Sequence, residues 1–411
     1  MGYDLGVDLG TTFVAAATAR DGRVEMCTLG DREAVVPAVV YRTEDSNLIF
    51  GVEAERCMSS DPHRGARYVK RRLGDPTPAS LGGVPYPATA LLAGQLRDVL
   101  DTVTRAEGEP PDRVALTHPA GWGPYRRELF EEIPRLAGLR NHVVLTEPEA
   151  AAAHYGVHRF LGEGGIVAVY DLGGGSFDAT VLRKRRGIIE IAGEPDGIER
   201  LGGIDFDEAI THWIDFRYGA EPAGPGLPET ESSATVATLR QECVRAKEAL
   251  SADMATTIAV PRLGRLLHAE LSRRDFETMI RAPIESTVGA LVRAVNNARF
   301  EVSELSAVLL VGGSSRIPLI GQMITEEIGR PIVTDAHPKH AVALGAAAAA
   351  SMRTAGPGPR VPVVAGSPGD TIRLQALPPR GVSRPLPPGW APEQTPPARS
   401  RRRRRLRRWL P

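Results

Sequence analysis

The sequence is poor in cysteine and lysine, and it has no long uncharged hydrophobic run. Its three cysteines, at positions 27, 57 and 243, are far apart, odd in number and without metal-ligand spacing. This excludes a disulfide framework, and we expect reduced thiols in the cytoplasm. No apolar segment reaches the roughly 18–20 residues that a membrane-spanning helix needs. The N-terminus, MGYDLGVDLG, lacks the basic segment and apolar core of a secretion signal.

Lysine accounts for only four of the 50 lysines and arginines, at positions 70, 184, 247 and 339. Together with 43 glycines and 34 prolines, this bias indicates a GC-rich bacterial genome. The hydrophobic content of 42% and the charged content of 24% are ordinary for a globular protein. The composition therefore predicts a cytoplasmic bacterial protein.

The formal net charge of zero hides an uneven distribution. Eight arginines lie between positions 399 and 408, so the rest of the chain carries a net charge of −8. No specific nucleic-acid binding by the mildly acidic folded core is expected. The last 59 residues hold 13 of the 34 prolines, so residues 353–411 are predicted to be a disordered tail with a polybasic end. The simplest interpretation is that this polybasic end is exposed to solvent and binds nothing. The alternative is that it is attracted to an anionic membrane surface or an acidic partner.

Residues 1–352 alternate short β-rich runs with helical stretches, which predicts an α/β fold. YDLGVDLG and FVAAATA are typical of a hairpin, and IVAVYDLGGGSFDATVL opens in the same way. Asp8 and Asp171 occupy matching positions in these two segments. The repeat predicts two related lobes, residues 1–165 and 166–352, with their glycine turns facing each other. We expect the final helix, 341–352, to pack back on the first lobe.

Further elements follow from the same patterns. RVALTHPA and HVVLTEP read as buried strands on either side of a helix, and LSAVLLVGG reads as a strand followed by a helix. Helices are predicted near 205–216, 235–250 and 273–298, with a hairpin near 255–271.

The two turns, DLGTT and DLGGGS, are suited to phosphate binding. Glycine lets the backbone N–H groups approach phosphate oxygens and adopt a positive φ, and a Thr or Ser hydroxyl adds a donor. The preceding acids, Asp8 and Asp171, are suited to hold magnesium through water. Taken singly, each turn is most simply a β-hairpin connection. As a matched pair, they favour a two-sided phosphate clamp.

Three other stretches admit a structural or a functional reading. Glu147, in LTEPEAAAAHYG, is either an acid favoured in the first turn of a helix or a functional carboxylate. Gly202 and Gly203, in RLGGIDFDEAI, indicate either a close backbone approach or a helix N-terminus capped by Asp205. LVGGSSRIP is suited to pass its backbone and Arg316 beside a nucleoside.

With these pieces in place, the chain resembles the nucleotide-binding domain of the seventy-kilodalton heat-shock protein family, within the actin-like ATPase superfamily. Ten segments match in the family's order over residues 3 to about 352: GVDLGTTFVA, VVPAVV, VKRRLG, LTHPAGW, LTEPEAAAAHYG, VYDLGGGSFDATVL, LGGIDFDEAI, VRAKEALSAD, LVGGSSRIPLI and AVALGAAAAA. The resemblance implies an actin-like (ribonuclease H-like) α/β fold, with two lobes around a central nucleotide cleft. It also implies ATP or ADP with Mg²⁺ as the ligands.

The resemblance further implies roles for individual residues. The phosphate-contacting positions are Gly10, Thr11, Thr12, Gly173, Gly174, Gly175 and Ser176. The adenosine-site positions are Gly202, Gly203, Lys247, Ser251, Gly312, Gly313, Ser314 and Arg316. The catalytic positions are Lys70, near the terminal phosphate and attacking water, Glu147 and Asp178, which order that water, and Asp171, which with Asp8 lies near the magnesium. Phosphoryl transfer depends mostly on positioning and charge neutralisation, so this set suffices chemically.

Several positions depart from the family pattern. Ser176 stands where threonine is usual, Phe13 where a small or polar residue is usual, and Val244 where an acid normally reaches the ribose. Glu248 replaces a basic residue that usually covers the base, and Lys339 replaces an acid. These changes predict weaker adenosine binding or a relaxed base preference. The family's linker and peptide-binding β-sandwich have no counterpart before the Pro-rich tail, so peptide clamping is not expected.

Three hypotheses remain open from the sequence. The first is a slowly hydrolysing ATPase of this family with an unknown protein client, co-chaperone or exchange factor. The second is a nucleotide-dependent binding or scaffold switch with little turnover, which recruits a partner or membrane through its basic tail. The third, a filament-forming actin relative, fits the chaperone-like segments less well.

Overall fold

The computed structural model describes residues 2–30, 33–156, 161–219, 229–262, 265–335 and 337–352. The predicted disordered and polybasic tail, residues 353–411, lies outside the described residues, and that expectation stays a prediction.

The strands of the described residues are numbered in chain order: β1 (Asp4–Leu9), β2 (Phe13–Arg20), β3 (Arg23–Met26), β4 (Val35–Pro37), β5 (Val39–Arg42), β6 (Leu48–Phe50), β7 (Gly65–Arg67), β8 (Ala79–Leu81), β9 (Val84–Tyr86), β10 (Arg113–His118), β11 (His142–Thr146), β12 (Ile166–Leu172), β13 (Phe177–Arg185), β14 (Ile188–Ile198), β15 (Ala255–Arg262), β16 (Arg265–Ser272), β17 (Leu305–Val311) and β18 (Ile332–Val333). The α-helices are α1 (Gly51–Ser60), α2 (Ala88–Glu107), α3 (Pro124–Leu136), α4 (Glu147–His154), α5 (Gly203–Tyr218), α6 (Glu229–Ala249), α7 (Arg273–Asn297), α8 (Pro318–Ile328) and α9 (Ala341–Met352).

The first sheet is built around β1. On one side β10 pairs with β1 in parallel and β11 pairs with β10, also in parallel. On the other side β2 pairs with β1 antiparallel, and β3 and β4 both pair with β2. Leu5, Val7 and Leu9 are fully buried on one face of β1, because alternate side chains of a strand point to the same side.

The second sheet repeats this arrangement around β12. On one side β17 pairs with β12 in parallel and β18 pairs with β17, also in parallel. On the other side β13 pairs with β12 antiparallel, and β14 pairs with β13 antiparallel. The strand order β3-β2-β1-β10-β11 thus recurs as β14-β13-β12-β17-β18. The repeat read from the sequence therefore extends to the topology of both sheets. The lobe boundaries themselves, 1–165 and 166–352, stay a prediction.

The repeat also holds in the strand register. Asp8 faces Ala15 across the β1–β2 pair, and Asp171 faces Asp178 across the β12–β13 pair. Directly opposed residues of an antiparallel pair share one face of the sheet. The second hairpin therefore places two carboxylates side by side where the first places one carboxylate and a methyl group.

Helices α4 and α9 connect the two sheets. Ala343 and Ala347 of α9 pack against alanines of β2, while Ala346 and Ala350 belong to an apolar cluster that includes Val169 of β12 and residues of α4. Small side chains permit this close packing. Helix α9 shares apolar clusters with strands of both sheets, and its assignment to the first lobe stays a prediction.

Local sequence signals explain several element ends. Ser272 caps α7 by accepting a hydrogen bond from the Asp275 N–H group. Helix α2 is followed by Gly108 and helix α8 by Gly329, which cap the two helices in the left-handed conformation that favours glycine. The predicted hairpin near 255–271 is the β15–β16 pair. Strand β11 is half-buried apart from Leu145, rather than buried as expected, because it lies at the edge of its sheet.

The remaining elements flank the two sheets. Strands β5, β6 and β7 form a small sheet, and β8 and β9 a hairpin, on the same apolar core as α2 and the first sheet. Helices α5, α6, α7 and α8 and the β15–β16 hairpin share a core with the second sheet. The sequence patterns did not resolve these small strands, which have only three or four residues each.

Candidate functional site

A cavity of about 670 Å³ opens where the two glycine turns meet. Its volume lies within the range of small-molecule sites. Most residues singled out from the sequence line it: Asp8, Gly10, Thr11, Thr12, Lys70, Glu147, Asp171, Gly173, Gly174, Gly175, Ser176, Lys247, Ser251, Gly312, Gly313 and Ser314. Asp178 lines an adjoining cavity of about 220 Å³ that shares Thr11, Lys70 and Ser176 with the first.

The two turns touch each other through their glycines. A Cβ atom added to Gly174 would lie 2.4 Å from Cγ2 of Thr12, and one added to Gly175 would lie 2.4 Å from Cγ2 of Thr11. A Cβ atom at Gly173 would meet no heavy atom nearer than 3.8 Å. None of these three glycines has a positive φ. Gly174 and Gly175 are therefore needed for close approach and not for an unusual backbone conformation.

The second turn is anchored by the N-terminus of α5. The N–H groups of Gly203 and Ile204 donate to the carbonyls of Gly173 and Gly174 at 3.0 and 2.9 Å. The Ser314 hydroxyl also donates to Gly173 O, at 2.9 Å. These first N–H groups of a helix have no partner inside it, so the turn carbonyls satisfy them. Gly202 and Gly203 thus hold the turn and do not themselves line the large cavity.

Both readings of this stretch hold: a Cβ atom at Gly202 would lie 2.7 Å from the carbonyl oxygen of Gly174, and Asp205 caps α5. Its Oδ2 accepts a hydrogen bond from the Gly202 N–H group at 2.7 Å. The same oxygen also accepts from Nη2 of Arg71 at 2.7 Å, while Nε of Arg71 donates to Gly175 O at 2.6 Å. Arg71 follows Lys70 directly in VKRRLG and ties this segment to the second turn. Sequence reasoning missed Arg71, although its position beside Lys70 was a usable signal.

Lys70 is a buried cation. It lies in a short 3₁₀ helix, Val69–Arg72, and its side chain is only 5% exposed. Its Nζ donates to Glu147 Oε1 at 2.7 Å and lies 3.8 Å from Asp8 Oδ1. Burial alone would lower the pKa of Lys70, but Glu147 and Asp8 outweigh it, so the pKa is raised. The ammonium therefore stays charged at the junction of the two turns.

Glu147 is free to hold Lys70 because a neighbour does the capping. Helix α4 begins at Glu147, and Thr146 and Glu149 form its capping box. The Thr146 hydroxyl accepts a hydrogen bond from the Glu149 N–H group, and the Glu149 carboxylate accepts one from the Thr146 N–H group. Glu147 still lies in the first turn, where the helix dipole favours an acid. Its carboxylate, however, pairs with Lys70.

The carboxylates of the site are packed more densely than one lysine can neutralise. Burial raises the pKa of Asp171 well above its usual value, and Glu147, Asp178 and Asp8 raise it further. Burial likewise raises the pKa of Asp178 to about 7, with a further contribution from Glu147, and that of Asp8 to about 6. A divalent cation would relieve this repulsion.

The described residues contain no group of three or more His, Cys, Asp or Glu side chains arranged to hold a metal directly. Asp8 and Asp171 come from different sheets and both line the large cavity. This arrangement fits magnesium, which keeps most of its water and needs only one or two carboxylates.

Lys247 and Asp207 form an ion pair in the cavity wall. Nζ of Lys247 lies 2.8 and 2.9 Å from the two carboxylate oxygens of Asp207 and donates to Gly203 O at 2.8 Å. Burial raises the pKa of Asp207 to about 6, against the opposing effect of Lys247. Gly312, at φ +81, leaves no room for a side chain, since a Cβ atom there would lie 2.4 Å from Leu172 O. Arg316 is exposed and does not line the cavity.

Two sheets of matched topology that meet at a pair of turns beside a cavity are typical of the actin-like ATPase fold. A family model described as Hsp70 protein matches residues 77–356. The chain belongs to the Hsp70 family, and the matched region corresponds to the family's nucleotide-binding ATPase domain.

Curated chaperone proteins are similar to this chain over most of its length. The chaperone protein DnaK of Thermotoga petrophila is 31% identical over 358 residues, which cover 85% of this chain and 59% of the relative. The chaperone protein HscA of Escherichia coli O7:K1 is 33% identical over 366 residues, covering 83% and 57%. The chain thus spans less than two thirds of the length of these relatives. Within the described residues, no helix combines the length and apolar character required to cross a membrane.

Proposed function

We propose that this protein binds ATP and hydrolyses it slowly in the cavity between the two glycine turns. The observation that carries the proposal is the contact of the turns: Gly174 and Gly175 approach Thr12 and Thr11 so closely that a Cβ atom would clash. Residues of both turns line one cavity, and the backbone N–H groups and hydroxyls of such turns suit the oxygens of a polyphosphate. The buried ammonium of Lys70 lies beside them.

Lys70 supplies the fixed positive charge. Because Glu147 and Asp8 hold Nζ in place, the ammonium is oriented before substrate arrives. Preorganised charge of this kind stabilises the negative charge that develops on transferring phosphoryl oxygens. A lysine suits this role better than an arginine, whose fork is larger and flat.

Asp178 and Glu147 are proposed to orient the attacking water. The Gly121 N–H group donates to Oδ1 of Asp178 at 3.2 Å, which leaves Oδ2 to accept a hydrogen bond from water. Glu147 uses Oε1 for Lys70 and has Oε2 for the same purpose. Two carboxylate acceptors that fix one water provide the positioning that phosphoryl transfer requires.

Asp8 and Asp171 are the proposed magnesium positions, through water. The ion would neutralise phosphate charge when it is bound. The raised pKa values of both carboxyls support a cation at this place. Thr117 Oγ1, 3.5 Å from Asp8 Oδ1, helps to orient the first carboxylate.

The family places this activity in a chaperone context, and we propose a protein client and a co-chaperone or exchange factor as partners. All three cysteines are unpaired, which supports a reducing compartment such as the cytoplasm. The proposal does not depend on the basic tail, whose attraction to an anionic membrane stays a sequence-based hypothesis.

Single-turnover hydrolysis tests the proposal. Purified protein in excess over radiolabelled ATP and magnesium should convert ATP to ADP, and Lys70→Ala should lose this conversion while calorimetry still detects nucleotide binding. Binding without turnover in the unmodified protein would instead support the alternative of a nucleotide-dependent scaffold switch. Absence of binding would contradict both.

A further inference from the structure

Lys339 contacts two other residues that line the cavity. Its Nζ lies 3.2 Å from Glu248 Oε1 and 3.8 Å from the centroid of the Phe13 ring. Phe13 begins β2, Glu248 lies near the end of α6, and Lys339 precedes α9. All three residues line the 670 Å³ cavity.

The partners of Lys339 belong to different cores. Phe13 lies at the start of a strand of the first sheet. Helix α6, which carries Glu248, contributes Cys243 and Ala246 to the core of the second sheet. The ammonium of Lys339 therefore links elements of the two sheets by one cation–π contact and one ion pair.

The path of the Lys339 side chain is defined by Gly313. A Cβ atom built on Gly313 would lie only 3.1 Å from Cε of Lys339, so the aliphatic stem runs directly over this glycine. The side chain forms part of the cavity wall and leaves the ligand-sized volume open. The contact is thus compatible with a bound ligand beneath it.

The charges of the three residues are mutually consistent. The face of an aromatic ring attracts a cation and repels an anion, so a positive group at position 339 suits Phe13 better than an acid would. A positive group there in turn accounts for an acid at position 248. Three departures from the family pattern thus meet in one set of contacts.

We propose that Lys339, Phe13 and Glu248 form a clasp across the nucleoside end of the cavity, and that Lys339 sets the rate at which a bound nucleotide is released. The inference rests on the proposed nucleotide binding and adds a chain-specific determinant of nucleotide retention. Opening the cleft to release a nucleoside separates the elements that carry Phe13 and Glu248, which breaks at least one contact of Lys339.

The expected effect is moderate. The side chains of Lys339 and Glu248 are 33% and 54% exposed, and both exposed ion pairs and exposed cation–π contacts are weak. Removing the ammonium should therefore accelerate release by roughly three- to tenfold. A larger change would require the phosphate turns themselves to be disturbed.

The test is release of the fluorescent nucleotide N-methylanthraniloyl-ADP from the full chain with magnesium, followed in a stopped-flow instrument after mixing with excess ADP. Lys339→Met keeps the length of the side chain and removes its charge, so release should accelerate. Glu248→Gln should accelerate it less, because the Phe13 contact remains. Lys184→Met is the matched control: it removes a lysine that does not line the cavity, and release should be unchanged.

The outcomes separate this inference from the proposal on which it rests. If the unmodified protein binds the probe and Lys339→Met releases it at the same rate, within twofold, the clasp is overturned while nucleotide binding stands. If Lys184→Met accelerates release as much as Lys339→Met, the effect is not specific and the clasp is also overturned. If the probe does not bind at all, nucleotide binding itself fails. The clasp is supported if Lys339→Met releases the probe faster and Lys184→Met does not.

Discussion

Substitution of Gly175 by alanine should force the two phosphate turns apart. The new Cβ atom would lie 2.4 Å from Cγ2, 2.7 Å from Oγ1 and 2.8 Å from Cβ of Thr11. Carbon atoms in contact normally lie about 3.5–4.0 Å apart, so relief requires a displacement of about 1 Å. Overpacking of this kind costs about 1–3 kcal/mol.

The loss of stability that the clash at position 175 causes can be distinguished from a general effect of alanine in the turn. Gly173→Ala is the matched control, because its Cβ atom would meet only Ser176 O, at 3.8 Å. The free energy of unfolding, measured in urea without ligand, should fall by about 1–3 kcal/mol for Gly175→Ala and change by less than about 0.5 kcal/mol for Gly173→Ala. Adding Thr11→Ser removes the methyl group that lies closest and should restore part of the loss.

Ligand binding provides the second readout. Because Gly175→Ala separates the turns, the affinity for ADP with magnesium should fall by about 5–150-fold, the equivalent of about 1–3 kcal/mol. The coupling between Gly175→Ala and Thr11→Ser should be visible in a double-mutant cycle. Equal losses of unfolding free energy in Gly173→Ala and Gly175→Ala, or strict additivity of Gly175→Ala with Thr11→Ser, would refute contact between the turns as the reason for a glycine at position 175.

Three further predictions concern stability and positioning. Burial and Asp101 raise the pKa of Asp98 to about 6, above its value in the unfolded chain. The ionised carboxylate therefore lowers the free energy of unfolding above pH 6, and this loss disappears as the pH falls towards 4. Asp98→Asn should therefore be more stable than the unmodified protein by up to ~2 kcal/mol at pH 7.5 and equal to it at pH 4 in urea titrations; a gain independent of pH would contradict this cause. Gly345→Ala should lower the free energy of unfolding by ~3 kcal/mol or more, since its Cβ atom would lie 1.7 Å from Ala150 O, whereas Gly321→Ala, with open space around it, should raise it by ~0.5 kcal/mol. Arg71→Ala should weaken ADP binding about tenfold and Arg71→Lys almost as much, because only the guanidinium spans both Gly175 O and Asp205; full retention by Arg71→Lys would show that charge alone suffices.

Much of the fold could be predicted because its signals are local. The repeat of Asp-Leu-Gly after an apolar strand placed β1 and β12 in equivalent positions, and the observed registers agree at the same offset. Strand and helix alternation indicated the α/β class. The short strands β5–β9 were not predicted, because runs of three or four residues carry too little periodicity.

The candidate site was harder to predict from the sequence, because its contacts join segments that are far apart in the chain. Glu147 could be read as a helix-turn acid or as a functional carboxylate, and only the pairing of Glu149 with Thr146 reveals that the capping is done by another residue. Glu248 and Lys339 read as two separate departures until their ion pair is seen. Arg316 fell at a matching sequence position, yet it is exposed and lies outside the cavity lining.

The central claim is that the two turns grip the phosphates of a nucleotide, and calorimetric titration of the unmodified protein with ATP, ADP and AMP in magnesium tests it most directly. Charge-assisted hydrogen bonds contribute about 1.5–3 kcal/mol each, so loss of the outer phosphates should remove several of them. ATP and ADP are predicted to bind one per chain, and AMP at least about 100-fold more weakly. Equal affinity for AMP and ADP, or no binding of any of the three, would contradict the phosphate clamp.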